Sequence, residues 1–253
     1  MPTPFMHLRV AERIRQHPEL GPSAGQQMDA AWPAFYLGNI APDFQTISDV
    51  PREVAHFYEL PPARDVVAHE EMLERLPHLA DASALDTDHA VFIAGYRAHL
   101  LLDLRWYWDI LIPCFVEADD WPVDHRQRFL VHNTLLTYLD RLSRQKLPED
   151  AGRTLAAAMP QRWLPFAGDG DLIRWRDMIA AQLAPGTVPA TVSIYAERMR
   201  MSAKTFAANL DDSAWMDEQV FRKVSLDHVL AVIDSGVDDS VRLVGAYLDG
   251  REP

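Results

Sequence analysis

Two residues one helical turn apart raise the question of chemistry. In the stretch GYRAHLLLDLRWYW, His99 and Asp103 stand four positions apart, and in a helix such a pair projects from one face, one turn above the other. That spacing suits two ligands of one metal ion, and it equally suits a buried His–Asp hydrogen bond within the helix. At about 100° per residue, Phe92, Gly95, Tyr96, Trp106 and Ile110 fall on the same side, so the polar pair lies within an aromatic wall. Gly95, one turn before His99, is expected to leave room for an ion. Upstream, YLGNIAPDF sets Asp43 between Pro42 and Phe44. Proline fixes its own φ and biases its predecessor towards extended conformations, so Asp43 is expected at a stiff, non-helical corner. A buried carboxylate without a partner is costly; Asp43 either caps the next helix from the surface or meets a positive charge. His7 shares an apolar stripe with Val10, Ala11 and Ile14, away from Arg9, Glu12, Arg13 and Arg15, and reads as a core histidine or a ligand. His56, in REVAHFYE, reads as a surface residue near Glu53 and Glu59 or as another member of the same set.

The elements that must position these residues are helices. Alternating apolar and polar runs are scarce, whereas helical spacing recurs along the chain, which gives an all-α class: a multi-helix bundle around a long central helix. Thr3 and Pro4 supply a cap and a first-turn proline for the first helix. A second runs from Met28 to Leu37 and is expected to end at Gly38, a third covers about 66–76, and the apolar fourth covers about 88–111, stopped by Pro113. Further helices are expected near 122–145, 149–159, 169–184, 188–210 and 225–249. PQRWLPFAGDG marks a seam, so residues 1–160 are read as the helical domain carrying the chemistry and 161–253 as a C-terminal helical extension packed on the same core, with packing, lid or dimerisation roles.

Composition limits the partners. A chain of 253 residues with 48% hydrophobic content can bury one sizeable core. Its longest apolar stretches are interrupted by Arg97, His99, Asp103 and Arg105, and its start lacks a basic region followed by an apolar run, so neither a membrane span nor a secretory signal is expected. The single cysteine, Cys114, rules out an internal disulfide and a cysteine-based metal cluster, and a cytoplasmic setting is expected. A formal net charge of −13 argues against binding nucleic acid or an anionic membrane surface. A Gly-rich phosphate loop, a Gly-x-Ser-x-Gly elbow and a His-Glu-x-x-His pair are all missing from the sequence.

The succession of His7, FYLGNIAPDF, HFYE and FIAGYRAHLLLD resembles the zinc-dependent phospholipase C family, whose all-helical fold is shared with single-strand-specific zinc nucleases. The likeness covers roughly residues 5–140, and its most specific parts are Gly-Asn-Ile-Ala-Pro-Asp and His-x3-Asp. The resemblance implies that His7, Asp43, His56, His99 and Asp103 surround a zinc cluster. Asp103 would bridge two ions, with His56 and His99 on one and His7 on the other, and Asp43 would act as a ligand or as the catalytic base. The family's further zinc, held by later histidines and a His-x3-Glu pair, has no counterpart, since neither His125 nor His132 is followed by Glu four residues on. One or two zinc ions are therefore expected, with His132 and Asp140 as supporting or surface residues. The implied activity is hydrolysis of a small-molecule or lipid phosphoester, a phosphodiesterase of phospholipase C type. The alternative is a non-catalytic helical protein that keeps the fold for ligand or protein binding.

Overall fold

The computed structural model describes residues 1–119, 121 and 125–251, and the side chain of His125 lies outside the described residues. Among the described residues there is no strand, and the class is all-α. The helices are α1 (Pro4–Arg15), α2 (Pro22–Ala30), α3 (Trp32–Ile40), α4 (Arg52–His56), α5 (Ala68–Arg75), α6 (Thr87–Trp106), α7 (His125–Gln145), α8 (Ala151–Ala156), α9 (Asp169–Gln182), α10 (Ala190–Arg198), α11 (Ala203–Asp211), α12 (Ser213–Met216) and α13 (Leu226–Leu248). A 3-10 turn, Ala41–Ile47, continues α3.

Helix α6 begins where the Asp86 carboxylate accepts from the His89 amide at 3.0 Å, an N-cap of the usual kind. It is apolar nearly all round, and 15 of its 20 residues are buried, which places it at the centre. Helices α3 and α13 pack along it. Their closest approach explains two glycines. A Cβ on Gly38 would stand 2.2 Å from the Phe92 carbonyl oxygen, and one on Gly95 would stand 2.6 Å from that of Phe35. Gly38 therefore does not end its helix, and Gly95 does not make room for an ion; each lets the backbone of α3 meet that of α6.

Three other expectations change. Pro113 does not stop the central helix, because Tyr107–Val116 continues it as a π-helix, whose wider turns accommodate the missing N–H and the ring. The stretch 188–210 is two helices, broken where Arg200 adopts φ 56° and Ser202 accepts the Thr205 amide at 3.0 Å to start α11. Asp43 sits within the 3-10 turn and not at an extended corner.

Helix α1 packs on α3, α7 and α13, which brings the two faces of the bundle together over His7. On the C-terminal side, the Trp175 indole donates to the Ile40 carbonyl at 2.7 Å and fixes α9 against the end of α3. Trp163, Leu164 and Ala167 are buried in the same core as α3 and α6. No helix among the described residues is long and apolar enough to cross a membrane.

Candidate metal centre

Four elements bring five side chains to one place. Helix α1 carries His7, the 3-10 turn Asp43, the end of α4 His56, and α6 both His99 and Asp103. The donor atoms of His7, His99 and Asp103 lie within 4.8 Å of one another, and so do those of Asp43, His56 and His99. All but Asp43 are buried; its side chain is 21% exposed.

Asp103 is the hinge of the arrangement. Its Oδ1 lies 3.5 Å from His7 Nε2, while its Oδ2 lies 3.5 Å from His56 Nε2 and 3.7 Å from His99 Nε2. His56 Nε2 is also 3.5 Å from Asp43 Oδ1. These separations exceed the usual N–H···O range. Two donors on one tetrahedral ion, each at about 2.0–2.1 Å, stand about 3.3 Å apart, which is closer to what is seen.

The rings are held in the tautomer a cation needs. His99 Nδ1 donates to the Asn39 carbonyl at 2.8 Å and His56 Nδ1 to that of Arg52 at 3.3 Å. A carbonyl can only accept, so each Nδ1 carries the proton and each Nε2 turns a lone pair inward. Phe57, at φ 62°, ends α4 in the left-handed region and turns the chain so that His56 and Tyr58 both face Asp103. The Tyr58 hydroxyl donates to Asp103 Oδ2 at 3.4 Å, and Arg52 donates to Tyr58 at 2.7 Å.

The charges follow from burial. His99 is pushed down to about 3, first by desolvation and then by His7, with which it stacks at 3.7 Å. It is neutral at ordinary pH. Burial alone would raise the Asp103 carboxyl, but His99, His7 and His56 outweigh it and hold the group well below the carboxylate range. Asp43 shifts the same way, its desolvation outweighed by the neighbouring His56 and His99 imidazoles. The donor set is thus two carboxylates and three imidazoles, and it fits a cation on one further observation. Both nitrogens of His7, Nε2 of His99 and Oδ1 of Asp103 are buried with no hydrogen-bond partner. Such atoms are costly to leave unpaired, and a cation between His7, His99 and Asp103 would satisfy the inward-facing lone pairs of all three residues.

All five residues singled out in the sequence therefore converge, and His56, open to a surface reading, is buried at 1% exposure. His132 is not among them: its Nε2 accepts from the Trp106 indole at 3.2 Å, and burial lowers it to about 3. Asp140 is fully buried and does not reach the cluster's donor groups. Sequence reasoning missed Arg52 and Tyr58, although both lie in the segment around His56, and it missed the Asn39 carbonyl, for which no side-chain signal exists.

The cluster opens at Asp43 into a cleft of about 500 Å³. Phe5, Ile47, Trp175, Ile179 and Tyr195 give it largely apolar walls, so the C-terminal region builds the far side. A second, polar hollow of about 360 Å³ between Arg52, Glu53, Tyr58, Glu59 and Leu60 touches the cluster from α4. No protein-family model, curated protein or solved structure matches the chain.

Proposed function

We propose that this protein is a metal-dependent hydrolase of phosphoric esters, with zinc as the metal and with the fold of the zinc-dependent phospholipase C family that the sequence resembles. One observation carries the reading. The two oxygens of Asp103 are divided between His7 on one side and His56 with His99 on the other, which is the division a carboxylate shared by two cations requires. Imidazole and carboxylate donors favour zinc among the common ions. One or two zinc ions there would acidify a water to a pKa near 7 and offset charge developing on a phosphoryl oxygen.

The chain's own groups do the rest. His99 and Asp103 form the fixed face of the site, held by Asn39 and by Tyr58. Asp43 is the donor nearest to solvent, and in this reading it receives the proton of the attacking water. Trp175, Ile179 and Phe5 exclude solvent from the cleft and accept the apolar part of a small-molecule or lipid phosphoester. Residues 1–160 carry the metal residues and 161–253 close the cleft, in a protein that works in the cytoplasm.

Elemental analysis of protein purified without added metal, together with hydrolysis of a chromogenic phosphodiester, tests this. One or two zinc ions per chain with chelator-sensitive hydrolysis is the expected result. Zinc without hydrolysis of any phosphoester leaves a metal-binding protein and removes the enzyme; absence of metal removes both.

A further inference from the structure

Asp140 is the one buried carboxyl in the cleft wall for which the metal centre has no use. It projects from α7 with the residue at 0% exposure, and neither Oδ1 nor Oδ2 has a hydrogen-bond partner. The hydroxyls of Thr191 and Thr3 and the Phe5 amide lie close enough to pull its carboxyl downward, and the Thr3 hydroxyl has no hydrogen-bond partner. Asp140 lines the same cleft as Asp43. Burial raises its carboxyl to about 6, against the weaker opposing pull of those neighbours and of Arg144. Asp43, in contrast, is shifted downward. A cleft with one carboxylate held ionised and another that keeps its proton up to about pH 6 has the makings of a base and an acid.

We propose that Asp140 is the general acid of this cleft, donating its proton to the leaving oxygen of the phosphoester; the inference rests on the phosphoesterase reading above. As water adds to phosphorus, the bond from phosphorus to the ester oxygen breaks and that oxygen takes the Asp140 proton, leaving as a neutral alcohol. The proton lost by the water passes through Asp43 to solvent, and solvent reprotonates Asp140, so the sum is addition of one water across the ester. The groups facing Asp140 that can change its charge state are Arg144 on its own helix, Tyr195 and Arg198 of α10, Asp43 across the cleft and the Met1 amino group, itself lowered by burial.

The test compares two leaving groups on the zinc-loaded protein. An alkyl phosphodiester needs a proton on its departing oxygen, whereas a p-nitrophenyl ester does not. In Asp140→Asn, hydrolysis of the alkyl ester is expected to fall by about 100-fold or more, and this loss to exceed that on the aryl ester by about 30-fold or more. In the wild type, alkyl ester hydrolysis falls as pH rises through about 6, where Asp140 ionises, and this limb is lost in the variant. Independently of activity, carbon-13 spectra of aspartate-labelled protein should show one carboxyl resonance titrating near that pH and absent from Asp140→Asn. Equal losses on both esters, no loss on either, or a wild-type profile without the alkaline limb overturns the proposal while leaving the hydrolase reading intact. A wild type that cleaves neither ester removes both.

Discussion

The buried cluster behind Asp43, a floor beneath the cleft, and the cleft wall each bury a carboxylate completely, and they treat it in opposite ways. Asp103, on the floor, is surrounded by three histidines, Tyr58 and Arg52 and is held ionised far below its ordinary range. Asp140, on the wall, has only threonine hydroxyls, an amide and Arg144 to oppose its burial and is pushed up to about 6. The same functional group at the same depth thus becomes a fixed anion in one place and an acid in the other. Burial alone does not set its charge; the count of positive or donating neighbours does. Helices α6 and α7 supply the two cases.

The largest expected effect is on the floor. Asp103→Asn keeps the shape and removes the charge that two cations would share, so metal content should fall at both positions together, by more than the 10–100-fold typical of losing an outer partner. His7→Ala should release one ion and keep the other, as counted by elemental analysis. Full retention of metal in Asp103→Asn breaks the comparison, because the floor would then be a hydrogen-bonded core and not a cation site. Next comes the frame. Gly38→Ala or Gly95→Ala drives a methyl into the facing carbonyl, at 2.2 and 2.6 Å, and should cost about 3 kcal/mol in urea unfolding.

The wall is probed by pH. The Asp140 carboxyl sits at about 6 when folded, against about 3.9 unfolded. The folded state therefore holds this proton more tightly, and the penalty for burying the group is absent below pH 4, grows between 4 and 6, and is complete above. Asp140→Asn should accordingly match the wild type at acid pH and exceed it above pH 6 by about 3 kcal/mol in chelator-treated protein. The smallest effect is expected from Thr191→Val. Loss of a polar neighbour should move the Asp140 midpoint upward by less than about one unit, a shift that sharpens the claim that neighbours set the charge.

What the sequence revealed and concealed follows from the same physics. His99 and Asp103 were legible because their spacing maps directly onto one helical face, and His7 because it interrupts an apolar stripe. Asp43 and His56 were legible as members of a succession, not through their own surroundings. Gly38 and Gly95 were misread because a glycine that ends a helix and one that admits a neighbouring backbone look alike until the partner helix is known. Pro113 was misread because a π-helix tolerates a ring that an α-helix excludes. Asp140 could be read as a surface residue, since its burial comes from α1 and α10 closing over α7, contacts of long range. The break at Arg200 was hidden because Ser202 lies within an otherwise continuous helical spacing.

The crossing of α3 and α6 at Gly38 and Gly95 has a thermodynamic consequence. Helix α3 holds His99 through the Asn39 carbonyl and leads directly into Asp43, while α6 carries His99 and Asp103. Any ion captured by these residues grips both helices at once, so occupancy and helix pairing are linked functions. At a free ion concentration 100 times its dissociation constant, that linkage adds about 2.7 kcal/mol to folding. With such an ion bound, the melting temperature of the chain would gauge the cation available around it, and stripping the ion would loosen the crossing at the centre of the molecule.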